Sequence, residues 1–330
     1  MDRGNLVQDL FEGPIDIVGD VHGEFQAFQT LLALLGYDGQ GRHTEGRRLV
    51  FVGDLGDRGE DSPGVIDWIC ERVQEQRAQA VLGNHELNAL DAAAGGPMKT
   101  ELSWLFDEAR PYSHHGHRVP QVAARGQRRE NILQFFASLP VALERPGELP
   151  VRVVHACWEA SMVNRIRHRR DALAVFHEEH RGLDQAFHHV GGMDALARKL
   201  LHQNCNAIKR LTSGLEGRAA RPIVVNEEQR WELRLPWWHD YRDPVLCVIG
   251  HYWRIALPGE VKYENLFDGL PLESVHGGGP VLCIDYSVGK RFRERFHRGY
   301  DGSFRSRLGA LRLPEKVLFF DNAPSQPLLA

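Results

Sequence analysis

The stretch IDIVGDVHG, residues 15–23, places an apolar run directly before a glycine-flanked aspartate and histidine. Isoleucine and valine dominate the run and predict a short buried β-strand, and the glycines around Asp20 and His22 predict a turn at its carboxyl end. Taken alone, an aspartate and a histidine after a strand are more often a turn residue and a hydrogen-bonded side chain than two metal ligands. The stretch therefore predicts a strand exit, and its chemistry depends on the rest of the chain.

The same arrangement recurs further along the chain. Apolar runs at residues 49–52, 80–82, 152–154 and 245–249 each end in a short polar motif. Amphipathic segments at 24–35 and 63–76 alternate with the first runs, a pattern typical of a layered α/β fold. Because ligands collect at the carboxyl ends of strands in open α/β sheets, we expect the polar side chains to converge. These side chains are Asp54, Asp57, Arg58, Asn84, His85, His155 and His251.

Metal-ligating atoms are abundant at these strand ends. Two aspartates, one asparagine and three histidines provide them without any cysteine: Asp20, His22, Asp54, Asn84, His155 and His251. Mixed carboxylate, amide and imidazole donors suit borderline divalent ions such as Mn, Fe, Zn or Co better than calcium. Six donors exceed what one catalytic ion with open positions requires. A pair of ions that share one carboxylate would use all of them.

The motifs resemble those of the calcineurin-like metallophosphoesterases, and within them the bacterial-type phosphoprotein phosphatase branch. That branch carries GDxHG, GDxVDRG and GNHE, followed by two separate histidines. Here the motifs read GDVHG at 19–23, GDLGDRG at 53–59, GNHE at 83–86, VVHACW around His155 and IGHYW around His251. The resemblance implies an α/β fold with a two-layer central β-sandwich flanked by helices. We expect one domain over residues 1–330, with helical and loop insertions at about 91–150 and 159–240.

The resemblance implies a cofactor of two divalent metal ions, with Mn expected first and Fe, Zn, Co or Ni as alternatives. Asp20 and His22 would bind the first ion, and Asp54 would bridge the two. Asn84, His155 and His251 would complete the coordination of the second ion. A hydroxide that bridges two such ions is a nucleophile at neutral pH, so the phosphate ester would be attacked directly, without a phosphoenzyme.

The resemblance also implies how the remaining motif residues act. His85 would be the general acid that protonates the leaving oxygen, and Asp57 would orient it, because a carboxylate partner keeps an imidazolium ready to donate its proton. Arg58 would bind the phosphate together with Asn84, since a guanidinium offers a forked pair of donors that lysine lacks.

The sequence departs from the family pattern in two places. Gly56 stands where the second motif usually has valine, and Trp253 stands where the wider superfamily has a second histidine. The missing histidine favours the phosphoprotein phosphatase branch, which also lacks it. That branch uses a second phosphate-binding arginine from its middle region, and the sequence leaves several candidates for this role: Arg165, Arg167, Lys209 and Arg210.

The substrate is less well defined by the sequence. The segment WELRLPWWHDYRD, residues 231–243, either packs into the core or offers aromatic and arginine faces on which a nucleobase could stack. We therefore keep three hypotheses. The first is a phosphomonoesterase, including a protein Ser/Thr phosphatase, and the second is a dinucleoside polyphosphate or nucleotide hydrolase. The third is a non-catalytic phosphate-binding protein, against which the retained Asp57, Arg58 and His85 argue.

Composition limits the partners and the compartment. The chain carries 40 basic and 44 acidic residues, a formal charge of −4, so we expect no nucleic-acid partner. Its 5 cysteines are scattered without a C-x-x-C pair, which predicts reduced thiols and a cytoplasmic location. We also expect no signal peptide and no membrane span, because no apolar stretch is long enough. A phosphorylated protein, nucleotide or small molecule is the expected partner.

Overall fold

Two β-sheets face each other across a shared apolar layer in the computed structural model, which describes residues 4–114, 117–188, 193–225, 228–257, 266–297 and 299–329. The first sheet contains, in spatial order, β1 (Val7–Asp9), β7 (Ala142–Arg145), β8 (Val151–Val154), β11 (Leu246–Ile249) and β12 (Val281–Cys283). The second contains β15 (Ala323–Pro327), β14 (Val317–Phe320), β13 (Gly309–Leu313), β2 (Ile15–Val18), β3 (Arg48–Phe51) and β4 (Ala78–Ala80).

The central strands are buried on both faces, which explains why they read as apolar runs. Ile15 and Ile17 of β2 pack into the layer between the sheets, whereas Val18 joins the cluster beneath the helices. In β3, Val50 lies between the sheets and Phe51 lies on the helical side. The strands β2, β3 and β4 run parallel, as do β8, β11 and β12, so their carboxyl ends meet at common edges.

Helices cover the sheets. They are α1 (Phe25–Leu35), α2 (Ser62–Gln74), α3 (Asn84–Ala93), α4 (Gln127–Ser138), α5 (Ala160–Ile166), α6 (Ala172–Phe187), α7 (Ala195–Cys205), α8 (Ala207–Ser213) and α9 (Arg291–Phe296). The ends of α1 and α2 follow from local chemistry. Gly36 takes the left-handed conformation that ends α1, and the Asp61 carboxylate caps α2 by accepting from Gly64 N at 2.8 Å. The predicted α/β sandwich flanked by helices is confirmed.

Two segments differ from the expected helical and loop insertions. The expected insertion at 159–240 contains more than helices and loops: its helices end at Gly214 and a hairpin follows, formed by β9 (Glu216–Val225) and β10 (Glu228–Arg234). Gly214 has a φ of 81°, a left-handed backbone conformation that ends the helix. Within the expected insertion at 91–150, β7 pairs with β1 and β8 in the first sheet.

The rest of the 91–150 segment contains α4, the end of α3, a 3₁₀ turn at Thr100–Trp104 and a short hairpin of β5 (Ser113–His114) and β6 (His117–Arg118). Among the described residues, no helix combines the length and the apolar character that crossing a bilayer requires. The assignment of the whole chain to one domain stays a prediction.

Candidate dinuclear metal centre

The site residues expected from the sequence lie where the chain leaves its strands. Asp20 follows β2, Asp54 follows β3, and His155 follows β8. Several residues at these exits have a left-handed backbone although none is a glycine: His22, Asp54, Asp57, Arg58 and His251, with φ of 50°, 50°, 71°, 68° and 66°. Such conformations cost about 1–3 kcal/mol each and persist where the surrounding structure holds them in place. Their clustering at the strand exits marks a functional region.

Two glycines make room for the site carboxylates. A Cβ atom at Gly250 would lie 2.0 Å from Asp20 Oδ1, and one at Gly83 would lie 2.3 Å from Asp54 Oδ1. Both distances are far below van der Waals contact, so a side chain at either position would displace the carboxylate. The glycines that precede Asn84 and His251 are therefore required by the site.

Asp54 lies at the centre of the converging side chains. Its Oδ2 atom is 3.8 Å from His22 Nε2 and 3.8 Å from His85 Nε2, and its Oδ1 atom is 3.3 Å from His155 Nε2. Two groups of metal-ligating atoms share this carboxylate, one with His22 and His85 and the other with His155 and His251, and the atoms of each group lie within 4.8 Å of one another. Asp54 thus faces both halves of the site.

Asn84, His155 and His251 form the second half. Asn84 Oδ1 lies 3.2 Å from His155 Nε2 and 2.8 Å from His251 Nδ1. His155 Nδ1 lies 2.7 Å from the carbonyl oxygen of Val52, to which it donates in the tautomer that leaves Nε2 facing the site. Burial lowers the pKa of His155, but the Asp54 and Asp20 carboxylates and the hydrogen bond to Val52 together outweigh burial and raise the pKa to about 10. This position therefore favours a positive charge.

Asp20 contacts residues that follow strands of both sheets. Its Oδ2 atom lies 4.0 Å from His22 Nε2 and accepts a hydrogen bond from the backbone nitrogen of His251 at 3.1 Å. Burial and the nearby Asp285 carboxylate raise the pKa of Asp20. Asp285 is itself only 1% exposed, and its Oδ2 atom has no hydrogen-bond partner among the described residues. Asp285 follows β12 and is a site residue that the sequence reasoning missed.

The charges and donor atoms of the site suit bound metal ions. Neighbouring buried carboxylates repel one another unless a cation neutralises them, and the unpartnered Asp285 oxygen is an additional acceptor for that cation. The donor set of carboxylates, imidazoles and one amide matches borderline divalent ions. The residues therefore fit two divalent ions that share Asp54.

His85 and Asp57 form a buried pair beside the metal-ligating atoms. His85 Nδ1 lies 2.5 Å from Asp57 Oδ2, and Trp104 Nε1 donates to the other oxygen of the same carboxylate. Burial alone would lower the pKa of His85, but the Asp54 and Asp57 carboxylates raise it above its ordinary value. The imidazole is therefore held in a position and in a protonation range that suit proton donation.

Arg58 spans the gap between two histidines. Its Nη1 and Nη2 atoms lie 3.0 Å from His22 Nε2 and 3.1 Å from His85 Nε2. On its other edge, Nε donates to Glu101 Oε1 at 3.2 Å. Burial raises the pKa of Glu101, but Arg58, His85 and Lys99 together outweigh burial and lower the pKa to about 2, so Glu101 remains ionised and anchors the guanidinium. Glu101, in the 3₁₀ turn, was not anticipated from the sequence.

Glu86, the last residue of the GNHE motif, supports the site from behind. Its carboxylate accepts hydrogen bonds from the backbone nitrogens of Asp54, Leu55 and Gly83 at 2.9, 2.8 and 2.9 Å. These bonds tie the exit of β3 to the start of α3. The motif was recognised in the sequence, but no role was assigned to this glutamate.

The candidates for a second phosphate-binding cation have other partners or other surroundings. Arg165 pairs with Glu179, Arg167 pairs with Glu144, and Arg210 lies 3.9 Å from Glu159. Arg234, at the end of β10, instead donates through Nη1 to the carbonyl oxygen of His251 at 3.1 Å. This contact places Arg234 beside the second half of the site.

The remaining candidate from the sequence, Lys209, is largely buried, and this burial lowers its pKa.

The aromatic segment at 231–243 packs mainly into the core. Trp237 donates through Nε1 to Ala156 O at 2.9 Å, and Trp238, which is fully buried, stacks on Phe267 with ring centroids 5.1 Å apart. Core packing is therefore the right interpretation for these two tryptophans, and neither offers a free face for a nucleobase. Trp231 is 48% exposed on β10.

A family model and several curated proteins are similar to parts of this chain. The model of the family described as calcineurin-like phosphoesterase matches residues 13–208. Bis(5'-nucleosyl)-tetraphosphatase PrpE of Geobacillus thermodenitrificans is 47% identical over 74 residues, which cover 22% of this chain and 30% of that protein. PrpE of Halalkalibacterium halodurans is 30% identical over 157 residues, covering 36% of this chain and 64% of that protein.

These matches therefore span less than two thirds of the length of the curated relatives. A solved structure of a candidate diadenosine tetraphosphatase aligns over 99% of both chains with a TM-score of 0.48 and 19% identity. The family match covers more than half of the sequence and includes every strand-exit motif except the one at His251. The chain belongs to the calcineurin-like phosphoesterase family.

Proposed function

We propose that this protein is a phosphoesterase that uses two divalent metal ions, with Mn as the first candidate, to hydrolyse phosphate esters. The observation that carries the proposal is Asp54, whose two carboxylate oxygens face two separate groups of metal-ligating atoms while the buried His85–Asp57 pair stands beside them. When bound, the ions would supply a Lewis acid and lower the pKa of coordinated water. We assign the first ion to Asp20 and His22 and the second to Asn84, His155 and His251, with Asp54 shared.

The chain's own groups have distinct proposed tasks. His85 donates a proton from Nε2 to the leaving oxygen, and Asp57 holds the imidazole by its Nδ1 atom. Arg58 binds two phosphate oxygens with the same terminal nitrogens that face His22 and His85. Asn84 is the second proposed phosphate-binding group. Arg234 is the proposed second phosphate-binding cation, supported by its contact with His251. Glu101 keeps the Arg58 guanidinium in place.

A substrate panel tests this proposal. p-Nitrophenyl phosphate, bis-p-nitrophenyl phosphate, a phosphoserine peptide and diadenosine tetraphosphate would each be incubated with Mn²⁺ and, separately, with EDTA. We expect Mn²⁺-dependent hydrolysis of the monoester, including the phosphopeptide, and loss of turnover with EDTA. If no compound is turned over with Mn²⁺, Zn²⁺, Co²⁺, Ni²⁺ or Fe²⁺, the enzymatic proposal is wrong and a phosphate-binding role takes its place.

A second candidate, hydrolysis of dinucleoside polyphosphates or nucleotides, is favoured by the surroundings of Trp253. Four cationic groups lie near its half-buried ring: Lys290 Nζ at 4.7 Å from the ring centroid, Arg58 at 5.0 Å, and Arg234 and Arg293 at 5.8 Å each. This is more positive charge than one phosphate group requires, and a chain of phosphates would make use of it. The names of the PrpE relatives point to the same substrate class.

The two candidates differ in a measurable way. If the substrate is a polyphosphate, Arg293→Ala should raise the KM for diadenosine tetraphosphate by about 10-fold or more, as expected for a lost charge-assisted contact, and leave p-nitrophenyl phosphate unaffected. Equal effects on both compounds, or turnover of the phosphopeptide far above that of the dinucleotide, would favour the phosphoprotein phosphatase.

A cytoplasmic location is also part of the proposal. It is supported by the cysteines, all of which are free thiols: Cys70, Cys157, Cys205, Cys247 and Cys283. Fractionation of the native cells, followed by detection of the chain, would test it.

A further inference from the structure

A second cluster of metal-ligating side chains lies on the helices that follow the first sheet's β8, apart from the strand exits. His180 and Asp184 occur four residues apart on α6 and therefore lie on the same face of the helix. His202, in the last turn of α7, meets them from the neighbouring helix. One donor atom from each of the three residues lies within 4.8 Å of the others.

The Asp184 carboxylate divides its oxygens between the two imidazoles. Oδ1 lies 2.9 Å from His202 Nε2, and Oδ2 lies 3.7 Å from His180 Nε2. The two imidazole rings stack with their centroids 3.8 Å apart and an interplanar angle of 17°. The three donors therefore come from two helices and converge on one small volume.

His202 is buried, with 6% of its surface exposed, and its Nδ1 atom has no hydrogen-bond partner among the described residues. His180 is less buried than His202. Its side chain is 43% exposed, so the ring can swing out of the stack to direct Nε2 at an ion held by Asp184.

From this geometry we infer that His180, Asp184 and His202 form a third, separate metal site, which binds a borderline divalent ion such as Zn²⁺ and clamps α6 to α7. Two imidazoles and one carboxylate match the preferences of Zn²⁺, Co²⁺ or Ni²⁺ and not those of Mg²⁺ or Ca²⁺. Three protein ligands leave one tetrahedral position for water. The nearby Arg198, 4.0 Å from Asp184 and 53% exposed, can move into solvent when the ion binds.

The bound ion would stabilise the packing of α6 against α7 and would not take part in phosphate ester hydrolysis. α7 leads directly into α8, and the carbonyl oxygen of Leu211 in α8 accepts hydrogen bonds from the backbone nitrogens of Ala156 and Cys157, immediately after His155. The inference is independent of the proposed function, since it depends only on the three side chains of α6 and α7.

The experiment compares zinc content between variants of the full chain. EDTA-treated protein would be reloaded with Zn²⁺, desalted and analysed by plasma mass spectrometry. The variants are His180→Ala and Asp184→Asn, both at half-exposed positions, with His177→Ala as the matched control. His177 lies on the same helix three residues before His180 and pairs with Asp91 at 3.2 Å. The difference between variants does not depend on how many ions the strand-exit site retains.

We expect His180→Ala and Asp184→Asn to contain one zinc ion fewer per chain than the wild type and His177→Ala. Their affinity for that ion should fall by more than ~10-fold, because even groups outside the first coordination shell are worth that much. Zinc should also raise the unfolding temperature less in these two variants than in the control. Equal zinc content and equal thermal shifts in all four proteins would overturn the inference and leave a hydrogen-bonded stack of histidines.

Discussion

Replacing Asp57 with asparagine isolates the proton-donating function of His85 from metal binding. The substitution keeps the shape of the side chain, and the remaining oxygen can still accept from Trp104. It removes the buried negative charge that lies 2.5 Å from His85 Nδ1, where both side chains are nearly inaccessible, with 6% and 4% of their surfaces exposed. The asparagine amide would donate to Nδ1, which favours neutral imidazole.

The size of the effect follows from the loss of this charge. A close opposite charge typically moves a buried group's pKa by about 1–3 units, so the pKa of His85 should fall by that amount. Each unit corresponds to about 1.4 kcal/mol, which gives a ~10- to 1,000-fold loss of the protonated form at pH values above the wild-type pKa. The carboxylates of Asp54 and Asp57 raise the pKa of His85 in the wild type, so the decline of kcat at alkaline pH should begin above pH 6.5. In the variant this decline should begin at lower pH.

The assay is a series of aryl phosphates whose leaving groups differ in basicity. Phenyl phosphate needs a proton on its leaving oxygen, p-nitrophenyl phosphate needs it less, and 2,4-dinitrophenyl phosphate needs it least. We expect Asp57→Asn to reduce kcat most for phenyl phosphate and least for the dinitrophenyl ester, with the metal content unchanged. Glu101→Gln is the comparison variant. It removes a carboxylate that holds Arg58 and that lies within 4.8 Å of His85, so it should raise KM and change the leaving-group dependence less than Asp57→Asn does.

An equal loss for all three esters, or an unshifted alkaline decline of kcat, would refute the role of Asp57 and His85 as a proton-donating pair. Loss of metal ions from Asp57→Asn would do the same, because it would make His85 or Asp57 part of the metal-binding set.

Three further changes give distinct results. Asp54→Asn should reduce the occupancy of both metal ions together, since this carboxylate faces both groups of ligands; plasma mass spectrometry that finds one ion fully retained would contradict the shared role. Glu86→Gln should lower the free energy of unfolding by about 1–3 kcal/mol, because the amide leaves at least one of three buried backbone donors unsatisfied, and urea unfolding that matches the wild type would contradict this account. Arg234→Ala should lower kcat/KM by about 10- to 100-fold, the value of a lost hydrogen bond to a charged group. Arg165→Ala, which breaks contacts with Glu179 and with the Cys205 carbonyl oxygen, should not lower it; equal activity of both variants would remove Arg234 from the site.

The strand-exit motifs were predictable because their signal is local. A buried strand needs consecutive apolar residues, and a polar turn after it is visible within the same few letters, as in the stretches that contain Asp20, Asp54 and His155. The α/β fold followed from the same runs, and the structure confirms it. Strand ends were placed within about two residues, as for β4, which ends at Ala80 although the apolar run continues to Leu82.

The residues that the sequence did not reveal reach the site through tertiary structure. Glu101 lies in a 3₁₀ turn with no strand before it, and Arg234 ends a hairpin strand that was expected to be part of a helical insertion. Asp285 follows an apolar run and had the right local signal, but a single aspartate after a strand has no distinguishing spacing. Trp237 and Trp253 both stand in aromatic stretches of the sequence, which do not distinguish them. Only the packing of the structure shows that Trp237 belongs to the core and that Trp253 lies among cationic side chains.

The residues with a left-handed backbone at the strand exits lower the stability of the fold but supply the side chains of the site. At His22, Asp57 and Arg58, the backbone conformation is one that glycine adopts without strain. A designer who optimised this chain for thermal stability alone would therefore be led to place glycines at these positions and would erase the site. Selection for stability and selection for chemistry would leave opposite signatures in the same loops.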